Sequence, residues 1–283
     1  MKPQKPSSLD TTSPIAWHPA FVEAIQLELE AYRNFLEFHT EYPLTSEPLK
    51  IDCVVIKKAK DIIISKNFAA MFREVNLIEY KSPYDYISIA DFYKVYAYAC
   101  LYTSLENTPI TSLTISLIES RHPKELLSHL KRVRGYTVEK KSPGIYTVNG
   151  DILPIQIIDS RQLSADLNFW LKGLSNKLDP LSIIQISDEV IKLNKNSRVK
   201  AYVDVLARAN FRAIEEAKNM SSPAKSLDEV LVRTGLAAQW EARGEERKAI
   251  NMAKKMLNSG FSLETVAAIS ELDSEKLKTL YEQ

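Results

Sequence analysis

Two stretches, LKIDCVVIKK (residues 49–58) and NLIEYKSP (residues 76–83), decide how this chain folds. The first crowds Ile51, Val54, Val55 and Ile56 into a short run with few helix formers, the composition of a strand. The second is another short strand, closed by Ser82-Pro83 because the residue before a proline is sterically restricted. Strand side chains alternate faces, so Glu79 and Lys81 project to one side. Asp52 sits inside an otherwise apolar strand, where a lone carboxylate is costly without a partner. The neighbouring strand offers a second carboxylate, Glu79. Two uses fit this pattern. One is a buried Asp–Lys or Glu–Lys pair that holds two strands together. The other is a hard-oxygen site in which Asp52, Glu79 and the backbone carbonyl of Tyr80 hold Mg2+ or Mn2+. Lys81 would then orient an attacking water or ease its deprotonation, while the metal neutralises charge growing on a phosphate.

Outward from these strands the chain alternates element types. Before them, Phe21, Ile25, Leu29 and Phe35 or Leu36 recur at helical spacing, which predicts one long helix over about 19–36, with His18 at its cap. Between the two strands, residues 61–75 read as a short extended piece around 62–64 and a helical turn around 69–74. After them come a helix over 89–104, a strand over 113–119 and a helix opened by Pro123 at a permitted first-turn position. A hairpin around Ser142-Pro143-Gly144 and a last strand in LPIQIIDS follow. That order predicts a mixed α/β domain over about 17–160, preceded by a flexible arm over 1–16. From 161 to 283 nearly everything reads as helix, with breaks near Asp179-Pro180, 194–196, 221–223 and Ser259-Gly260. Whether this helical region is a domain of its own or a cap on the first stays open. The tail reads as a helix over about 262–269 and a second one capped by Asp273 or Ser274. That second helix carries few basic side chains, so it is expected to pack or to dimerise rather than read bases.

The 283 residues carry 37 Lys plus Arg against 36 Asp plus Glu, which excludes a generally polybasic coat but not a local basic groove. Such a groove is available. Residues 121–141 hold Arg121, Lys124, Lys131, Arg132, Arg134, Lys140 and Lys141 against Glu125 and Glu139. They could line one face of a cleft, or be an ordinary solvated surface. Two cysteines, Cys53 and Cys100, both in apolar surroundings, read as small core residues rather than a disulfide framework. The start has no apolar core of a signal peptide, and no stretch reaches the roughly 20 apolar residues of a membrane span. A soluble, cytoplasmic protein is expected. With seven glycines in the chain and no Gly-rich phosphate loop, no small-molecule organic cofactor is expected either.

The run LKIDCVVIKK followed by NLIEYKSP resembles the PD-(D/E)XK nuclease superfamily. The longer text NLIEYKSPYDYISIADFYKVYAYACLY (76–102) resembles its recombination-promoting nuclease, or putative transposase, branch. The proline of the family's Pro-Asp pair is absent, since Ile51 precedes Asp52. The resemblance covers about 17–160 and is strongest over 48–103. It implies a restriction-endonuclease-like core, a mixed central sheet flanked by helices, and a magnesium-dependent DNA endonuclease linked to recombination or a mobile element. It implies Asp52 and Glu79 as metal ligands and Lys81 as the catalytic lysine. It adds an acidic ligand from the first helix, here Glu23 or Glu28. It also places a polar residue and a tyrosine one helical turn apart facing the site, positions held here by Lys94 and Tyr98. Arg73, before the lysine strand, is expected to touch the DNA backbone or pair with Glu74 or Asp85, and the 121–141 stretch to hold that backbone electrostatically. A homodimer would suit double-strand cleavage. A nuclease fold kept as an inactive DNA-binding or structural module is the rival reading.

Overall fold

The computed structural model describes residues 15–43, 50–57, 62–193, 199–220, 224–270, 272, 273 and 277. Its centre is a seven-stranded mixed sheet, in the order β1-β2-β3-β4-β7-β6-β5. The strands are β1 Leu36–Pro43, β2 Lys50–Lys57, β3 Val75–Tyr80, β4 Leu113–Glu119, β5 Thr137–Ser142, β6 Ile145–Asn149 and β7 Ile155–Asp159. β1, β2 and β3 form an antiparallel meander. β3, β4 and β7 run parallel at the middle, and β7, β6 and β5 are antiparallel again.

The central strands β3, β4 and β7 are buried along their whole length, as parallel strands covered on both faces must be. Helix α1 (Trp17–Glu28) lies on one face, and α2 (Ile89–Leu105) and α3 (Lys124–Arg132) lie on the other. On α1's face Phe21, Ile25, Cys53, Val55, Ile78 and Tyr80 share one apolar cluster, which continues without a break into the helices that follow the sheet. Those are α4 (Phe169–Gly173), α5 (Pro180–Leu193), α6 (Lys200–Ala209), α7 (Phe211–Asn219), α8 (Ala224–Arg233), α9 (Leu236–Asn258) and α10 (Leu263–Ser270). The class is therefore α/β, with a largely helical C-terminal region packed on one side of the sheet. None of the described helices is long and apolar enough to cross a membrane.

Three local expectations are corrected. The helix expected over 19–36 ends at Glu28, passes through a 3-10 segment and becomes β1 at Leu36. Pairing decides this. Phe38 lies opposite Val55 and Thr40 opposite Cys53, and those cross-strand contacts outweigh the helical tendency of the Leu-Glu run. Residues 62–64 are irregular rather than extended, and the helical turn falls earlier, at Asn67–Ala69. Cys53 is buried as expected, but Cys100 is exposed, because α2 turns that position away from the sheet. The arm over 1–14, the breaks at 194–196 and 221–223 and most of the second tail helix lie outside the described residues.

Candidate active site at the end of the lysine strand

The pairing of β2 with β3 ends with Cys53 opposite Ile78, and Asp52 and Glu79 are the next residues on the two strands. The two carboxylates lie close enough for the Asp52 charge to act on Glu79. Asp52 is fixed on both oxygens. Oδ2 accepts the backbone N–H of Tyr80 at 2.8 Å, and Oδ1 lies 3.0 Å from Nδ1 of His18, in the first turn of α1. The hydrogen bond to Asp52 holds the His18 imidazole above its ordinary pKa, against the opposing effect of burial. Tyr80 turns its side chain to the α1 face, where its ring stacks on Phe21 at 4.4 Å.

Glu79 is only 3% exposed, and its two oxygens differ. Oε1 takes both lysines, Lys94 at 3.2 Å and Lys81 at 3.7 Å. Oε2 is buried with no hydrogen-bond partner among the described residues. Burial first, and the adjacent Asp52 charge second, push the Glu79 carboxyl above the usual carboxylate range, and the two lysines pull it back. Lys81 leaves the end of β3 with its backbone N–H donated to Ile118 and its Nζ 2.9 Å from Oδ1 of Asp91. Lys94 stands on α2 over the ring of Tyr98, 5.9 Å from its centroid. Tyr98 is buried among the residues that pack α2 on the sheet.

Asp52, Glu79, Lys81 and Lys94, with Tyr80's backbone and Tyr98 beneath Lys94, therefore gather at one place. Of the first-helix acids, Glu23 lines one cavity with His18 and Asp52, and both Glu23 and Glu28 are engaged as helix caps. Both Glu23 oxygens accept backbone N–H groups at the start of α6, from Ala201 at 3.1 Å and Tyr202 at 2.5 Å. Desolvation pushes the Glu23 carboxyl up to about 7. Glu28 accepts the N–H groups of Trp170 and Leu171 at the start of α4 with Oε1 and pairs with Lys66 through Oε2 at 2.8 Å. Both acids serve as caps for helices far away in sequence, and each of their carboxylate oxygens already accepts at least one hydrogen bond.

The expected basic surface holds in part. Arg121, Lys124, Lys131 and Arg132 are exposed on and around α3, with Arg121 donating to the Pro83 carbonyl at 3.3 Å. Lys140 is exposed near Tyr146, and Lys141 pairs with Glu139. Arg134 is not available. Its guanidinium lies within 6 Å of the ring centroids of Tyr93, Tyr96 and Tyr136 and 3.2 Å from Asp151. Arg73 is exposed. It precedes β3, at the opposite end of that strand from Lys81, and donates to the Thr111 carbonyl.

Two residues of the cluster escaped the sequence reading. His18 is 34 positions from Asp52, and nothing local announces their contact. Asp91 did leave a sign: Ser88-x-x-Asp91 ahead of an apolar helix is a capping-box pattern.

Among the described residues no three His, Cys, Asp or Glu side chains form a ready-made metal cage. Two neighbouring carboxylates with one buried, unpartnered oxygen nonetheless suit Mg2+ or Mn2+, since Mg2+ is usually held by one or two carboxylates and completes its shell with water and substrate oxygens. Each Asp52 oxygen keeps a second lone pair beside its hydrogen bond. In comparisons with known proteins the chain matches no family model, no curated protein and no solved structure.

Proposed function

We propose that the chain is a metal-dependent nuclease that hydrolyses DNA phosphodiester bonds at the Asp52–Glu79–Lys81 cluster, within a restriction-endonuclease-like core. The observation that carries this reading is the split of Glu79: one oxygen held by two ammonium groups, the other buried and unsatisfied beside a second carboxylate. An unpaired buried carboxylate oxygen is costly, and a divalent cation removes that cost. Asp52, Glu79 and the Tyr80 carbonyl are the residues that would hold Mg2+ or Mn2+, which when bound would polarise water and phosphate.

The chain's own side chains supply the rest. His18 and the Tyr80 N–H fix the orientation of Asp52. Lys81, with a side chain 15% exposed, holds its ammonium between Glu79 and Asp91, where it would orient a water or carry charge next to a phosphate. Asp91, Glu79 and Asp85 outweigh burial and keep that lysine protonated. Lys94 is more open, with a 42% exposed side chain, and is placed to meet a phosphate oxygen. The exposed Arg121, Lys124, Lys131 and Arg132 would hold the backbone without reading sequence. A link to recombination or a mobile element rests on the resemblance alone.

The same contacts favour a second reading. Every charged group of the cluster except Glu79 Oε2 has a partner, which also describes an ion network that joins β2, β3 and α2 in a DNA-binding or structural module. Plasmid cleavage separates the two. Under the nuclease reading the purified protein nicks DNA with Mg2+ or Mn2+ and stops with chelator. Asp52→Ala and Lys81→Ala each lower the rate on the order of 10²–10³-fold, the usual scale for removing one electrostatic contact to a transition state. Salt-sensitive DNA binding without metal-dependent nicking would establish the second reading instead.

A further inference from the structure

Asp91 belongs to neither strand of the cluster, and the metal set does not need it. It is the third residue of α2, and its two oxygens have separate duties. Oδ2 accepts from the Ser88 backbone N–H at 3.0 Å and from the Ser88 hydroxyl at 2.6 Å, while Ser88 Oγ accepts the Asp91 N–H at 3.0 Å. That closes a capping box and locks the side chain in one rotamer. Oδ1 is left pointing at the end of β3, where it meets Lys81 Nζ at 2.9 Å, a shorter contact than the 3.7 Å from Lys81 to Glu79 or the 3.9 Å from the same oxygen to Lys94 Nζ. The segment between Lys81 and α2 is itself pinned. Asp85 N–H bonds the Ser82 carbonyl at 3.0 Å, Ile87 is buried, and its N–H is held by Glu119.

We propose that Asp91 is a positioning residue for Lys81: by closing the cap of α2 with one oxygen and gripping the ammonium with the other, it makes the first turn of that helix set where the catalytic lysine stands. A long lysine side chain has many rotamers, and holding it in one of them costs conformational entropy. A carboxylate already immobilised by a helix cap selects one with no further ordering of its own. The device differs from an ordinary ion pair in that the anion cannot follow the cation if it drifts. This inference rests on the nuclease reading only for its kinetic consequence; the grip itself does not.

The test uses the full chain and three variants. Asp91→Asn keeps an amide oxygen to accept from Ser88 and removes the charge that faces Lys81. It is expected to hold the wild-type melting temperature within a few degrees, to lower kcat for plasmid nicking at least tenfold and to leave KM within about twofold. Asp91→Glu, which restores a carboxylate at a position where capping boxes accept glutamate, is expected to recover part of kcat. Ala99→Gly weakens α2 elsewhere and serves as the stability control. A wild-type kcat for Asp91→Asn, or a loss no larger than that of Ala99→Gly at matched stability, overturns the inference and leaves the nuclease reading standing. A second readout needs no cleavage. Acylation of Lys81 by an amine-reactive reagent, followed by mass spectrometry, is expected to run several-fold faster in Asp91→Asn than in wild type. Equal rates overturn the inference. If the wild-type protein cuts nothing, the nuclease reading fails and this comparison still decides whether Asp91 holds the lysine.

Discussion

Glu79 and Glu119 are acids near the carboxyl ends of adjacent parallel strands. β3 sets Glu79 beside Leu117, and Glu119 follows two residues later on the same face. Their surroundings give them different chemistry. Glu79 has two lysines on one oxygen and the charge of Asp52 nearby. Glu119 is 1% exposed, has the Ile87 N–H at 3.3 Å on Oε2 and has no partner on Oε1 among the described residues. Desolvation therefore dominates and pushes the Glu119 carboxyl up to about 7. A carboxyl with a raised folded-state pKa binds its proton more tightly in the folded chain than in the unfolded one. Its contribution is complete below the ordinary carboxylate pKa of about 4.5 and is lost as pH rises towards 7. The loss is on the order of 3 kcal/mol. Glu119→Gln keeps an acceptor for Ile87 and never ionises. It should be more stable than wild type at pH 8, with a flatter change in denaturation midpoint between pH 4.5 and 8. An unchanged slope in that variant would remove Glu119 as its source.

At the scale of elements, α1 does more than cover the sheet. Its acids cap two helices of the C-terminal region, Glu23 the start of α6 and Glu28 the start of α4. Helix starts carry unsatisfied N–H groups, and here they are met by side chains 142 to 179 positions earlier rather than by their own N-cap residues. A ligand role and a cap role for Glu28 predict opposite results. Glu28→Ala leaves two buried N–H groups without their acceptor and Lys66 with only the Leu167 carbonyl, and should cost about 3–5 kcal/mol in urea denaturation. Binding of Mn2+ by the folded fraction, followed by calorimetry, should stay within about twofold of wild type. A large loss of Mn2+ affinity at small cost in stability would return Glu28 to the metal set. Periodicity could not decide this, since a glutamate beside the apolar stripe of a helix can face either way until the partner surface is known.

At the scale of the whole molecule, the helical region and the sheet share one core. Phe21, Ile25 and Tyr80 belong to the same cluster as Trp170, Leu171, Tyr202 and Leu206. Trp170 lies edge-on to Tyr202, and the Tyr202 hydroxyl donates to the Trp170 carbonyl at 2.8 Å. Gly173 keeps this contact open, because a Cβ there would run into the Tyr202 hydroxyl. A chain ending at residue 160 would uncover the α1 face of the sheet and leave Glu23 and Glu28 with no helix to cap. It is expected to aggregate, and soluble yield with size-exclusion chromatography checks this. A monodisperse 1–160 fragment with native-like circular dichroism would show instead that the sheet region folds alone.

The strands β2, β3, β4 and β7 were legible because each is a short apolar run bounded by turn residues, β5 and β6 because they are extended arms around Ser-Pro-Gly, and α2 and α3 because local composition and a permitted proline mark them. Asp52, Glu79 and Lys81 were legible for the same local reason: charged side chains in or beside apolar strands stand out from their neighbours. What had no local signature was decided by packing. β1 exists because β2 offers it a partner, His18 meets Asp52 because α1 crosses that end of the sheet, and Arg134 is lost to a cage of tyrosines from other elements. Short-range pattern specifies the shape of a segment, since it depends on neighbours three or four residues away. Which carboxylate ends beside which cation depends on contacts across dozens of positions, and those exist only once the core has closed.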